Sequence, residues 1–235
     1  MSHTLHMINC TKLGNYAPPK PETFAGRFIT LTPMDVVKDV DELFAGSHEA
    51  GSVEAMWRYV PVGPFADAGA MAAWLRERQA LPDMIPFTVT DNATGRRIGS
   101  ISLMRITPEQ GVAELGFIWY APPAQRTRAN TEANYLLLRY CFEHLRYRRM
   151  EWKCDAENLR SRAAAERLGY TLEGVFRQHL VVKGRNRDTA WFAMLDHEWA
   201  GIGEAMRRWL YEDASVSLRK MIKPEQLKLK RVSKP

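Results

Sequence analysis

Residues 113–133 read Ala-Glu-Leu-Gly-Phe-Ile-Trp-Tyr-Ala-Pro-Pro-Ala-Gln-Arg-Thr-Arg-Ala-Asn-Thr-Glu-Ala. An apolar strand from Leu115 to Tyr120 stops at Pro122-Pro123. A polar, arginine-rich turn follows and opens a helix. A strand that feeds a helix through such a turn aims unpaired backbone N–H groups at one place. The positive end of the helix dipole acts in the same direction. The expected result is an anion cradle at Gln125-Arg126-Thr127-Arg128-Ala129-Asn130, suited to a ligand that carries phosphate.

Outward from this stretch, Val112 to Tyr120 is the third of three consecutive strands, after Ile85–Thr90 and Arg97–Ile106. Before them come an irregular proline-rich arm (residues 1–21) and a strand at Arg27–Thr32. Two helices follow that strand, the first from Asp35, the second capped by Asp67 and running to about Gln79. The proline- and glycine-punctuated segment Trp57–Phe65 reads as a connection between them. After the cradle the pattern predicts a helix over 129–146 and a strand over 150–155. A short helix from Asn158 stops at Gly169. Two strands then flank a turn at Lys183-Gly184-Arg185-Asn186, and a further helix spans Glu198–Tyr211. This order predicts an α/β fold, a mixed sheet with helices on both faces.

The chain has 235 residues, 46% of them hydrophobic, enough for one sizeable core with extensions. No secretory signal pattern and no apolar run of membrane-spanning length is visible. Cys10, Cys141 and Cys154 have no metal-type spacing, and no histidine cluster suggests a ligand set, so no metal is expected. The expected compartment is cytoplasmic. The net charge is +6, and residues 216–235, with seven basic residues against Glu225, carry an excess equal to all of it. This basic tail (213–235) reads as a solvated, mobile terminus. A sharper alternative is a weak anchor to RNA, a ribosome or another acidic surface. Without aromatic residues it gives no base stacking.

Three constellations carry chemistry. Arg126, Arg128, Thr127 and Thr131 at a helix start favour an anion, because guanidinium pairs with phosphate in bidentate fashion. There is no Walker A or dinucleotide-binding glycine pattern. Asn158 and Ser161 stand where a strand hands over to a helix; Asn158 reads equally as an N-cap and as a ligand contact. Glu114 precedes the cradle on an apolar strand. In a cleft beside Phe117 and Trp119 its pKa would rise, and it could take a proton from an amine. Trp57, Tyr59 and Phe65 are candidates to line a substrate pocket or to pack as core. All six histidines read as structural or exposed.

Taken in order, the strand Gly26-Arg27-Phe28-Ile29-Thr30-Leu31, the strand Ala113–Phe117, the turn from Gln125, Asn158-x-x-Ser161, Glu166-Arg167-Leu168-Gly169-Tyr170 and Leu195-Asp196-His197-Glu198-Trp199 resemble the GNAT superfamily of acyl-CoA-dependent N-acetyltransferases. The RimJ/RimL type, which acetylates ribosomal-protein N-termini and in relatives small amines, is the nearest in pattern. The resemblance covers about Phe24 to Trp199. It implies the GNAT fold, with a mostly antiparallel central sheet that splays beside Phe117–Trp119, and one acetyltransferase domain over residues 22–212. It implies acetyl-CoA as co-substrate, with Phe117, Ile118 and Trp119 along the pantetheine and Gln125, Arg126, Thr127, Arg128, Ala129, Asn130 and Thr131 around the pyrophosphate. Asn158 would touch the pantetheine. Glu114 would be the general base and Ser161 the proton donor to the thiolate. The acceptor would be an amine, either a small molecule or a protein N-terminus. No membrane partner is implied, and the protein would be a monomer or homodimer. The family loop reads Gln/Arg-x-x-Gly-x-Gly/Ala; here Gln125 matches, Arg128 takes the glycine position and Asn130 the Gly/Ala position. That departure keeps open a second reading, a GNAT-fold module that senses acyl-CoA without transfer.

Overall fold

The structure is a computed structural model that describes residues 16–232. One eight-stranded sheet, ordered β1-β2-β3-β4-β5-β6-β8-β7, organises the chain. Its strands are β1 (Phe24–Ala25), β2 (Ile29–Pro33), β3 (Ile85–Asp91), β4 (Arg97–Thr107), β5 (Val112–Tyr120), β6 (Arg149–Asp155), β7 (Thr171–Val182) and β8 (Arg185–Leu195). The helices are α1 (Val36–Ser47), α2 (Val53–Trp57), α3 (Ala68–Gln79), α4 (Ala129–Arg139), α5 (Leu159–Arg167), α6 (Asp196–Tyr211) and α7 (Leu218–Val232). All strand pairs are antiparallel except β5 with β6.

Local chemistry sets the helix starts. Asp35 Oδ1 accepts from Lys38 N, Asp67 Oδ1 from Ala70 N at 2.7 Å, and Asn158 Oδ1 from Ser161 N at 3.1 Å. Each satisfies an N–H that the first turn leaves open. The main core joins Ile29, Leu31, Phe87, Ile101 and Leu103 to Leu136, Leu137 and Cys141 of the α4 segment and to Trp199 and Ile202 of α6. A second core lies on the opposite face, where Val40, Leu43, Met71 and Leu75 of α1 and α3 pack with Trp57 and Trp119. Helices therefore cover both faces.

Four local expectations are corrected. The connection expected over 57–65 is helical up to Trp57. The helix expected to Arg146 leaves α geometry at Arg139 and continues as one wider turn, in which Leu145 N donates to Tyr140 O. The hairpin turn has two residues, Lys183 and Gly184, both with positive φ (49° and 73°), and β8 already begins at Arg185. That conformation matches the twist of the flanking strands. Finally, the basic segment is no solvated terminus along its length. It folds as α7, with Leu218 and Ile222 buried in the main core and Met221 packed against it. The i, i+3, i+4 spacing of these three residues was present in the sequence but was outweighed by the charge run.

Of the arm expected over residues 1–21, those from Tyr16 onward are described. The Tyr16 ring meets Tyr147 edge-on, and Lys20 N donates to the Tyr140 hydroxyl. None of the described helices is long and apolar enough to cross a membrane.

Candidate active site

The site begins with a pairing that stops. β5 and β6 run parallel and pair only from Val112↔Arg149 to Glu114↔Glu151. Beyond Glu114 this edge of β5 has no strand partner among the described residues, which leaves a gap in the pairing of the sheet. On its other side β5 carries a bulge. Ser102 pairs with Gly116 and Ser100 with Trp119, so Ile101 stands opposite two residues, Phe117 and Ile118. Phe117 takes φ 48° to do so. A bulge breaks the two-residue period of side-chain direction. Leu115, Ile118 and Tyr120 consequently face the main core, while Trp119 faces the second core and Phe117 packs on Trp74 of α3. An unbroken strand would have sent Leu115 and Trp119 to the same face.

The turn that closes β5 is built from its own side chains. Gln125 Nε2 donates to Tyr120 O, and Thr127 Oγ1 donates to Ala124 O while accepting from Ala129 N. Gln125 N donates to Pro122 O. The side chain of Gln125 and the N–H of Ala129 are thus already engaged within the turn. The backbone N–H groups of Arg126, Thr127, Arg128, Asn130 and Thr131 have no partner among the described residues. They crowd the N-terminus of α4, which is the geometry of an anion cradle. Thr131 as a whole residue is 0% exposed, so neither its side chain nor its N–H is open to a ligand.

Arg128 and Asn130 replace small residues without blocking the turn. Arg128 has φ −72°, an ordinary helical value that needs no glycine. Its guanidinium turns away, 5.0 Å over the Phe28 ring and 5.7 Å over Trp209. Asn130 uses Oδ1 and its carbonyl to receive Asn134 Nδ2. We expect Arg128→Ala to lower the melting temperature by roughly 2–6 °C through the loss of cation–π contacts worth about 1–1.5 kcal/mol. Its acetyl-CoA affinity should stay within twofold of wild type by calorimetric titration, and a tenfold loss would show instead that the side chain holds phosphate.

Glu114 is 5% exposed at the foot of the gap. Its Oε2 accepts from Lys153 Nζ at 2.8 Å and forms an ion pair with Arg105 Nε at 3.2 Å. Burial pushes its carboxyl above the ordinary value, and the adjacent Lys153 ammonium opposes that rise without cancelling it. No donor among the described residues reaches Oε1, which lies 3.5 Å from where a Cβ on Gly116 would stand. Such a Cβ would also collide with Met104 Sδ, so glycine lets the Met104 side chain pack against β5 beside the carboxylate. Ser161 lies across the sheet. Its Oγ accepts from Trp152 Nε1 at 3.0 Å, and Trp152 points to the face opposite Lys153 because neighbouring strand residues alternate. Glu114 and Ser161 therefore flank the gap from opposite faces. Asn158 caps α5 with Oδ1, and its Nδ2 has no partner among the described residues.

Of the three pocket candidates, Trp57 is core. It is 2% exposed, and its Nε1 donates to Ser47 O. Tyr59 and Phe65 are half-buried. Phe65 packs on Trp57 and Trp74, extending an aromatic run to Phe117. The β7–β8 tip reaches this wall, where Lys183 Nζ donates to Trp57 O at 2.8 Å. His48 is structural, as expected. It stacks on Phe44, and its Nε2 accepts from Phe65 N, which requires the neutral ring. Burial holds its pKa below the ordinary 6.5. Its stabilising effect is complete above about pH 6.5 and is lost as pH falls through the lower folded-state value. Thermal melts should show this loss between pH 7 and 5, with a flatter profile in His48→Gln; identical profiles would remove His48 as a cause.

Sequence reasoning missed Lys153, Arg105 and Glu151. The alternation that put Met150, Trp152 and Cys154 on one face of β6 sends Glu151 and Lys153 to the other. A parallel β5–β6 pair would have placed them beside Glu114.

A parallel pair that ends early, a strand bulge and a bare helix N-terminus are the features that the GNAT resemblance leads one to expect. Residues 29–171 match the family profile described as Acetyltransferase (GNAT) domain, and the chain belongs to that family. Among solved structures it is similar to a GCN5-related N-acetyltransferase from Brucella melitensis, 40% identical, with a TM-score of 0.86 over 91% of this chain and 99% of the other. It is 28% identical over 183 residues to the uncharacterized N-acetyltransferase p20 of Bacillus licheniformis, covering 77% of this chain and 99% of that protein. It is 34% identical over 107 residues to YdaF of Bacillus subtilis, provisionally named a ribosomal N-acetyltransferase, a match covering 46% of this chain and 58% of YdaF.

Proposed function

We propose that this N-acetyltransferase moves an acetyl group from acetyl-CoA to a primary amine by direct attack in the gap between β5 and β6. The observation that carries this reading is the end of β5–β6 pairing at Glu114, with the unpartnered N–H groups of Arg126, Thr127, Arg128 and Asn130 beyond β5 at the start of α4. The open edge of β5 at Phe117–Trp119 suits the amide-bearing pantetheine arm, and the α4 N–H groups suit the pyrophosphate. Asn158 Nδ2 is placed to donate to the arm. The acceptor enters on the Glu114 face, past Tyr59, Phe65 and the β7–β8 tip. An amine with a pKa near 10 is mostly protonated at neutral pH, so Glu114 Oε1 takes its proton. The nitrogen bonds to the acetyl carbon and the C–S bond breaks; the thiolate takes a proton from the Ser161 hydroxyl, which is restored by the second proton that the nitrogen loses as the amide forms.

The acceptor is a protein N-terminus or a small-molecule amine, and YdaF's name speaks for the first. Thiol release from acetyl-CoA against a panel of N-terminal peptides and small amines tests the proposal. Release with at least one class is expected. Tight acetyl-CoA binding with no release under any amine would replace it by the acyl-CoA-sensing reading.

A further inference from the structure

A general base that shares a hydrogen bond with a buried ammonium raises a chemical question, because the ammonium weakens it. Lys153 is 6% exposed at its side chain. Its Nζ lies 2.8 Å from Glu114 Oε2, 2.6 Å from Glu151 Oε2, and 4.0 Å over the Trp191 ring. Glu151 also receives Arg149 Nε at 2.7 Å, and Arg149 forks onto Glu173. Arg105 approaches Glu114 from β4 and is more than half exposed. Three cations thus alternate with three carboxylates across β4, β5, β6 and β7, with Lys153 at the centre.

Two consequences follow from this arrangement. The Lys153 hydrogen bond and the Arg105 ion pair both fall on Oε2, which leaves Oε1 as the oxygen with no donor among the described residues. When Glu114 is protonated, Lys153 still has Glu151 at 2.6 Å, so no buried ammonium is stranded by proton transfer. We propose that Lys153 is a positioning residue, which sets the proton affinity of Glu114 and, by engaging Oε2, leaves Oε1 to the acceptor amine. This rests on the reading of Glu114 as proton acceptor.

An opposite charge within about 4 Å lowers a carboxyl pKa by about 1–3 units. Lys153→Met therefore raises the acid limb of the kcat/KM–pH profile by at least about one unit. Activity is depressed at pH 7 and largely recovered at higher pH. Lys153→Arg, which keeps the charge, holds the limb within about half a unit of wild type. Glu151→Gln moves it the other way, because Lys153 then serves Glu114 alone; this variant carries the test if Lys153→Met does not fold. An unmoved limb in Lys153→Met, or in Glu151→Gln where that variant carries the test, overturns the proposal. Glu114→Gln is the control. If the acid limb survives in that variant, the reading of Glu114 as base fails. If the limb vanishes there but ignores the charge at Lys153, only the role of Lys153 fails.

Discussion

Glu114→Gln is expected to lower turnover at pH 7 by about a hundred- to ten-thousandfold, the usual range for loss of a general base. Acetyl-CoA affinity should stay within about twofold, because no proposed cofactor contact involves this side chain. The substitution removes the proton acceptor and a negative charge that pairs with Lys153 and Arg105. A melting curve is therefore needed beside the rate. In the wild type the acid limb of the rate profile should lie above the ordinary carboxylate range, because burial outweighs the Lys153 ammonium. Below that limb Glu114 is protonated and cannot accept. Turnover within tenfold of wild type in a folded Glu114→Gln protein would remove Glu114 from the mechanism.

Glu132→Ala should be the most destabilising single change near the site. Glu132 is fully buried in the first turns of α4. Its carboxylate receives Arg27 N at 2.8 Å, Phe28 N at 2.7 Å and Ile29 N at 2.8 Å. It thereby ties the loop between β1 and β2 to the helix whose N-terminus forms the cradle. Alanine leaves three N–H groups without an acceptor, at about 1–3 kcal/mol each where they are buried. A loss of roughly 3–6 kcal/mol corresponds to a fall in melting temperature of about 10–20 °C for a chain of this size. Gly26→Ala attacks the same joint from the other side, because its Cβ would stand 2.5 Å from the Glu132 carboxyl. A fall below about 3 °C in Glu132→Ala would show that water replaces the carboxylate at little cost.

Particular residues show where legibility in the sequence ended. Asp35, Asp67 and Asn158 were readable as caps because a cap is a contact over three residues. The cradle at Gln125–Thr131 was readable for the same reason. Which of its groups remain free was not, because Gln125 and Thr127 complete hydrogen bonds that depend on how the turn closes. Where the Arg128 guanidinium lies was not legible either, because Phe28 and Trp209, which take it, are far apart in the chain. Trp57 was open to both a pocket and a core reading, and α1 and α3 enclose it as core.

By itself the sequence determined most of the order of strands and helices, though not β1, α2 or α7, and through its resemblance to GNAT enzymes the family and the candidate positions of Glu114, the cradle and Asn158-x-x-Ser161. The elements rest on periodicity and the motifs on residues a few positions apart. Only the tertiary structure decided that β5 bulges at Phe117, that α7 docks through Leu218 and Ile222, and that Glu114 shares Lys153 with Glu151. The physical reason is distance along the chain. A buried charge is stable only beside its partners, and Arg105 and Lys153 reach Glu114 from two separate strands that no local pattern connects.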